Sequence, residues 1–177
     1  MDRDLTKHLT ETRNQLVNEI IVLGSETFNH QPEPQNWSIA QVCHHLFLVE
    51  RASTKAIEIG LHNREQTGAE YQNLQFILDR TKKRIAPSIV EPDEGPFEVQ
   101  QLLKELHDAR DKLIALLNTI ENKSILEEKS FQHPVYGNLS LFQWVELLYL
   151  HERRHIEQIE KVHWNSKLKN SGERFTT

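Results

Sequence analysis

Two histidines four residues apart, His151 and His155, lie in the segment HERRHIEQI near the end of a 177-residue chain that holds 10 histidines. On a helix, at about 100° per residue, that spacing stacks both imidazoles on one face. The face is the apolar arc marked by Leu141, Val145, Leu148 and Ile159. A lone inward histidine is an ordinary hydrogen-bonded core residue. Two stacked ones desolvate each other unless something shares their lone pairs, and a divalent metal ion does so. Earlier in the chain the same angular count separates the adjacent His44 and His45. Ile39, Val42, Leu46, Val49 and Ile57 mark the apolar side; His45 falls beside Ala52 and Ala56, and His44 on the far, solvated side. The small Ala52, Ser53 and Ala56 leave a gap next to His45. His45, His151 and His155 would then supply three nitrogen ligands from two facing helices, with one or more positions open. That is the pattern of catalytic metal sites, whereas structural zinc sites are closed. Zinc or nickel suits such a donor set, and iron or manganese is compatible with it.

Residues 151–155 also read His-Glu-x-x-His, the signature in which a zinc protease uses its glutamate to activate water. The downstream acids and His163 match no third-ligand spacing, and no edge strand for an extended substrate is evident, so a protease is set aside. Glu152 still falls inside the apolar arc, where a carboxylate needs a partner. Three roles stay open: hydrogen-bond partner to a ligating histidine, general base on a metal-bound nucleophile, or ion pair with an arginine at a bundle end. Cys43 points away from His45 and reads as a core thiol. His133, just before Pro134 and Gly137, is the one further histidine that a loop could fold over the mouth of a bundle. No phosphate-binding glycine loop and no Gly-x-Ser-x-Gly elbow is present.

The elements that must position these residues are set by the helix breakers. Prolines and glycines cluster at Pro32/Pro34, at Pro87 to Pro96 and at Pro134/Gly137. Between them lie amphipathic segments at about 2–29, 38–62, 97–122 and 140–165, with a shorter helical one at about 70–85. The best strand candidate, Phe131 to Tyr136, is interrupted by Pro134. Ser38 with Gln41, and Ser140 with Gln143, each read as a capping box; the stapling pairs are Trp37 with Val42 and Leu139 with Trp144. Four such helices predict an all-α four-helix bundle, with 63–97 long enough for a crossover connection. One domain spans 1–166, followed by a polar, fraying tail from Lys167 to Thr177. With 21 basic and 26 acidic residues the net charge is −5, which argues against a nucleic-acid binder. A single cysteine, no apolar run of membrane-spanning length and no signal peptide read as cytosolic, with no membrane partner.

Trp37-Ser38 opening a helix, His45-Leu46 two turns in, and His151-x3-His155 with Gln158 resemble, in order and spacing, the DinB-like superfamily. Within it the likeness is to the YfiT-type metal-dependent hydrolases and bacillithiol S-transferases, over about residues 5 to 165. The resemblance implies a bundle with a non-sequential connection and a three-histidine divalent metal site: His45 on the second helix, His151 and His155 on the last. It also implies a homodimer, for which Phe142, Tyr149 and Leu150, off the main apolar stripe, offer a surface. Three functions follow. One is an enzyme that transfers a low-molecular-weight thiol to an electrophilic small molecule. The second is a metal-dependent hydrolase using Glu152 as base. The third is a non-catalytic metal-binding bundle.

Overall fold

The computed structural model describes residues 4–63, 68–81 and 85–172. Four long helices dominate it: α1 (Leu5–Ile20), α3 (Ile39–His62), α4 (Val99–Asn118) and α6 (Leu141–Gly172). Shorter pieces join them: helix α2 (Ser25–Asn29), helix α5 (Ile125–Glu128) and the strands β1 (Ser130–His133) and β2 (Gly137–Ser140). Helix α1 packs on α6, α6 on α3, α3 on α4, and α4 closes the ring onto α1. Consecutive helices α1 and α3 therefore lie across a diagonal. The architecture is the expected four-helix bundle, with its helices out of simple up-down order.

The cap at Ser38 forms as a full box: Gln41 N donates to Ser38 Oγ at 3.1 Å and Ser38 N to Gln41 Oε1 at 3.0 Å. The second box is only half formed. Gln143 N donates to Ser140 Oγ at 3.2 Å, but the Gln143 side chain turns to the crossover, bonding Gln72 O at 2.6 Å and Gln72 N at 3.3 Å. This explains a second departure, in the segment expected to be helical over 70–85. Among its described residues only Leu74–Leu78 is helical, as a 3-10 helix, because the backbone of the segment is tied to α6 instead of to itself. The Arg154 side chain completes the tie by donating to Ile77 O and Asp79 O; residues 82–84 of that segment lie outside the described residues.

Three further expectations are corrected. The segment 2–29 breaks at a turn before Gly24, which caps α2, with Ile21 and Val22 left exposed. Pro134 does not interrupt a strand; it makes the turn of an antiparallel hairpin in which Phe131 pairs with Leu139 and His133 with Gly137. Gly137 at φ +75° supplies the left-handed backbone that this turn requires. Helix α6 runs on to Gly172, beyond the end near 165 read from the sequence. Among the described residues no helix is long and apolar enough to cross a membrane.

The core has two apolar layers. One gathers Leu9, Ile57, Leu113, Trp144 and Leu148, the other Leu16, Phe28, Val42, Leu106 and Ile159. What separates them is polar.

Candidate metal centre

Helices α3 and α6 bring His45, His151 and His155 together. His151 Nε2 stands 3.4 Å from His45 Nε2 and 3.2 Å from His155 Nε2, and the three nitrogens all lie within 4.8 Å of one another. The proton positions follow from the bonds on the other side of each ring. His45 Nδ1 is 2.6 Å from Val90 O, which can only accept, so Nδ1 carries the hydrogen. His155 Nδ1 likewise donates to Gln158 Oε1 at 3.0 Å. Both Nε2 atoms therefore present lone pairs. His151 Nε2 can hold one proton at most, so it cannot satisfy two such neighbours.

A cation fits where a proton cannot. Nitrogens about 2.0–2.1 Å from a tetrahedral zinc ion stand roughly 3.3–3.4 Å apart, close to the two short separations here. The rings are also neutral, as ligands must be. Burial first, then His155 and His45, holds the His151 pKa well below its usual value. Burial followed by His45 pushes His155 down to about 3. His45 is lowered by burial, against the bond to Val90. His151 Nδ1 is buried without a hydrogen-bond partner among the described residues.

The cluster opens into a cavity of about 580 Å3. Ala52, Ser53 and Ala56 form the predicted gap beside His45, and the crossover residues Ile85 to Val90 form another wall. The hairpin turn folds over the mouth. There His133 packs 4.6 Å from the Trp144 ring, its Nδ1 accepting from Val135 N and Tyr136 N, and burial lowers its pKa to about 4.

The model of the DinB superfamily matches residues 8–159, most of the chain. The chain belongs to the DinB superfamily. Among its relatives is the uncharacterized protein YuaE of Bacillus subtilis (strain 168), 29% identical over 152 residues, covering 86% of this chain and 93% of YuaE. Two solved structures share the DinB-like fold at low identity. YfiT from Bacillus subtilis, described as a probable metal-dependent hydrolase with an unusual four-helix bundle topology, superposes with a TM-score of 0.66 at 17% identity, covering 92% of this chain and 86% of YfiT. TT2238, described as a four-helix bundle protein, gives a TM-score of 0.61 at 16% identity, covering 89% of this chain and 97% of its own.

Two sequence readings of this DinB-like site change. His44 does lie away from the histidine cluster, as the angular count gave, but it is not solvated. The end of the crossover covers it: Asp93 N donates to His44 Nδ1 at 3.1 Å and the Phe97 ring packs tilted against it at 4.9 Å. Glu152 is buried and is not among the residues lining the cavity. Its carboxylate accepts from Thr12 Oγ1 at 2.5 Å, Arg13 Nε at 2.8 Å and Arg110 Nη2 at 3.0 Å. Burial alone would raise its pKa; Arg13 and Arg110 more than offset that and lower it. A carboxylate so committed has no access to a metal-bound nucleophile, and the general-base role falls. The arginine pairing stands, at mid-bundle and not at a bundle end.

The pairing is larger than the sequence suggested. Arg13 and Arg110 also both bind Glu50, so two arginines and two glutamates, one from each long helix, form a buried, charge-balanced tetrad. Each arginine further donates to a backbone carbonyl on the other's helix, Arg13 to Leu106 O and Arg110 to Leu9 O. Arg13, Glu50 and Arg110 escaped the sequence reading. Their signal was present, since each occupies a core position in its helix's apolar stripe, as between Leu9 and Leu16 or Leu106 and Leu113.

Proposed function

We propose that the chain is a metal-dependent enzyme that transfers a low-molecular-weight thiol, of the bacillithiol type, to an electrophilic small molecule, with His45, His151 and His155 holding one divalent ion, zinc or nickel before iron or manganese. A divalent ion held there lowers the pKa of a thiol and keeps it as thiolate at neutral pH. The observation that carries the reading is the cavity lining: among the described residues it contains three convergent histidine nitrogens and no aspartate or glutamate. A nucleophile that needs no protein base suits such a pocket. Val90 O and Gln158 fix the ring orientations, and the hairpin and crossover walls limit water. Cys43 takes no part, being buried and pushed by that burial to a pKa of about 12.

Hydrolysis is the second reading, favoured by the likeness to YfiT. A metal-bound water there would have no carboxylate base from Glu152, which is bound to Thr12, Arg13 and Arg110. The test begins with elemental analysis of untagged protein beside a His45→Ala, His151→Ala, His155→Ala variant. About one metal per chain is expected in the former and none in the latter. Cobalt-loaded protein is then titrated with cysteine, glutathione and bacillithiol, and assayed in parallel for thiol conjugation and ester hydrolysis. Equal, substoichiometric metal in both proteins would sink the site. A cobalt spectrum that no thiol perturbs would sink the transferase and leave the hydrolase or the non-catalytic bundle.

A further inference from the structure

The cavity carries positive charge that the histidine cluster does not account for. Among its described lining residues are two arginines, Arg80 and Arg154, and no carboxylate, in a chain of net charge −5. Arg154 is fixed by donating Nη1 to Ile77 O and Asp79 O at 2.7 and 2.6 Å. Arg80 donates Nη1 to Arg154 O at 3.2 Å, so the two guanidiniums share one wall. Burial and the neighbouring Arg154 both work against the Arg80 charge, and Glu157, exposed on the outer side of α6, offsets part of this. Both arginines line the same cavity as His45, His151 and His155. The rim has the opposite character. Ile85 is 98% exposed, Ile89 77% and Val135 47%, all three at this cavity. Apolar side chains of that size left in water gain from any apolar body laid over them.

We infer that the pocket takes an amphipathic small-molecule anion, its acidic group paired with Arg80 beside the histidines and its hydrocarbon or aryl body against Ile85, Ile89 and Val135. The inference rests on the proposed function and names the class of its electrophile. A carboxylate and a phosphate monoester share the required chemistry, since both accept a guanidinium fork. The cavity, about 580 Å3, falls in the range that holds such molecules.

Calorimetric titration of zinc-loaded and metal-stripped protein with decanoate, decyl phosphate and decanol tests this. The anions are expected to bind at least about tenfold more tightly than decanol. Arg80→Gln should abolish that preference and leave decanol unchanged, while Arg80→Lys keeps part of it. Ile89→Asp, on an exposed side chain that threatens no packing, should weaken all three ligands. The tighter of the two anions identifies the acidic group. Decanol binding as well as decanoate, or a preference that survives Arg80→Gln, would overturn the inference. The two readings fail separately: no zinc uptake with the anion preference intact removes the metal site alone, and normal zinc uptake without the preference removes this inference alone.

Discussion

His45 and His155 present Nε2 because Val90 O and Gln158 take Nδ1, so the orientation of these rings is fixed by bonds made behind them. The residue-scale reading brought forward the three clustered histidines because the four-residue spacing of His151 and His155 is a local property of one helix face, and the small Ala52, Ser53 and Ala56 marked His45 on another helix. It misplaced His44 because an angular count knows one side of a helix and cannot see that a crossover covers the other. It missed the tetrad for a related reason. A single charge inside an apolar stripe resembles noise, and only the coincidence of Arg13, Glu50, Arg110 and Glu152 on four different helices makes it a pattern. The first prediction belongs here. Glu152→Gln leaves Arg13 and Arg110 sharing one carboxylate in the interior, so the protein should lose about 3–5 kcal/mol of stability. Urea denaturation measures this, and the still-folded fraction should retain its metal. A variant with unaltered stability and a loss of hydrolysis of roughly 10²-fold or more would restore the general base. A second prediction follows from where His44 sits: His44→Ala should leave metal content unchanged by elemental analysis, because its ring bonds Asp93 and not the cluster.

At the scale of elements, the long helices were legible because their apolar stripes repeat over many turns, and the Ser38 box marked one start correctly. The conformation of the crossover was not, because its backbone bonds go to distant side chains, and neither was the hairpin, whose two strands pair across Pro134. No local pattern in 70–85 shows that Gln143 and Arg154 will claim its carbonyls. Pro134 was read as a breaker of a strand when it is the corner between two. The two capping glutamines now give a contrast. Gln41 closes a partly exposed cap, so Gln41→Ala should cost no more than about 1 kcal/mol. Gln143 is fully buried and holds both polar groups of the Gln72 backbone. Gln143→Ala should cost about 2 kcal/mol and also loosen the pocket wall. Thermal melts rank the pair, and hydrogen exchange at residues 71–80 should quicken only in the Gln143 variant. Equal melts and equal exchange would mean that the crossover is held elsewhere.

At the scale of the molecule, the ring α1–α6–α3–α4 places α3 beside α6, and that adjacency lets histidines more than 100 positions apart share one point. Pairing of two chains stays a proposal carried by the family resemblance. The surface first offered for it is mostly gone, since Leu150 is 1% exposed and Phe142 and Tyr149 are packed against the core. Light scattering across concentrations decides it, a constant monomer mass being the refuting result. The last prediction concerns acid. Burial pushes His155 and His133 down to about 3 and about 4 in the folded chain from the usual 6.5, so below about pH 6.5 the unfolded chain binds more protons. Their contribution to stability is complete above that pH and declines as pH falls toward those folded values. Glu152, lowered from 4.5, acts with the same sign in a more acid window, its contribution present above 4.5 and lost as pH falls through the folded value. Metal-free protein should therefore lose stability steadily from about pH 6.5 downward, well before its carboxylates protonate. Zinc binds only the folded, neutral cluster, so at a thousand times its dissociation constant it should add about 4 kcal/mol at neutral pH. His133→Ala should flatten part of the acid slope without changing metal content, because its ring covers the site without joining it. Melting temperatures at pH 7, 6 and 5, in chelator and in zinc, separate these effects. A chelated protein that melts at one temperature across that range would show that the histidines are not held neutral, and the physical basis of the metal centre would go with it.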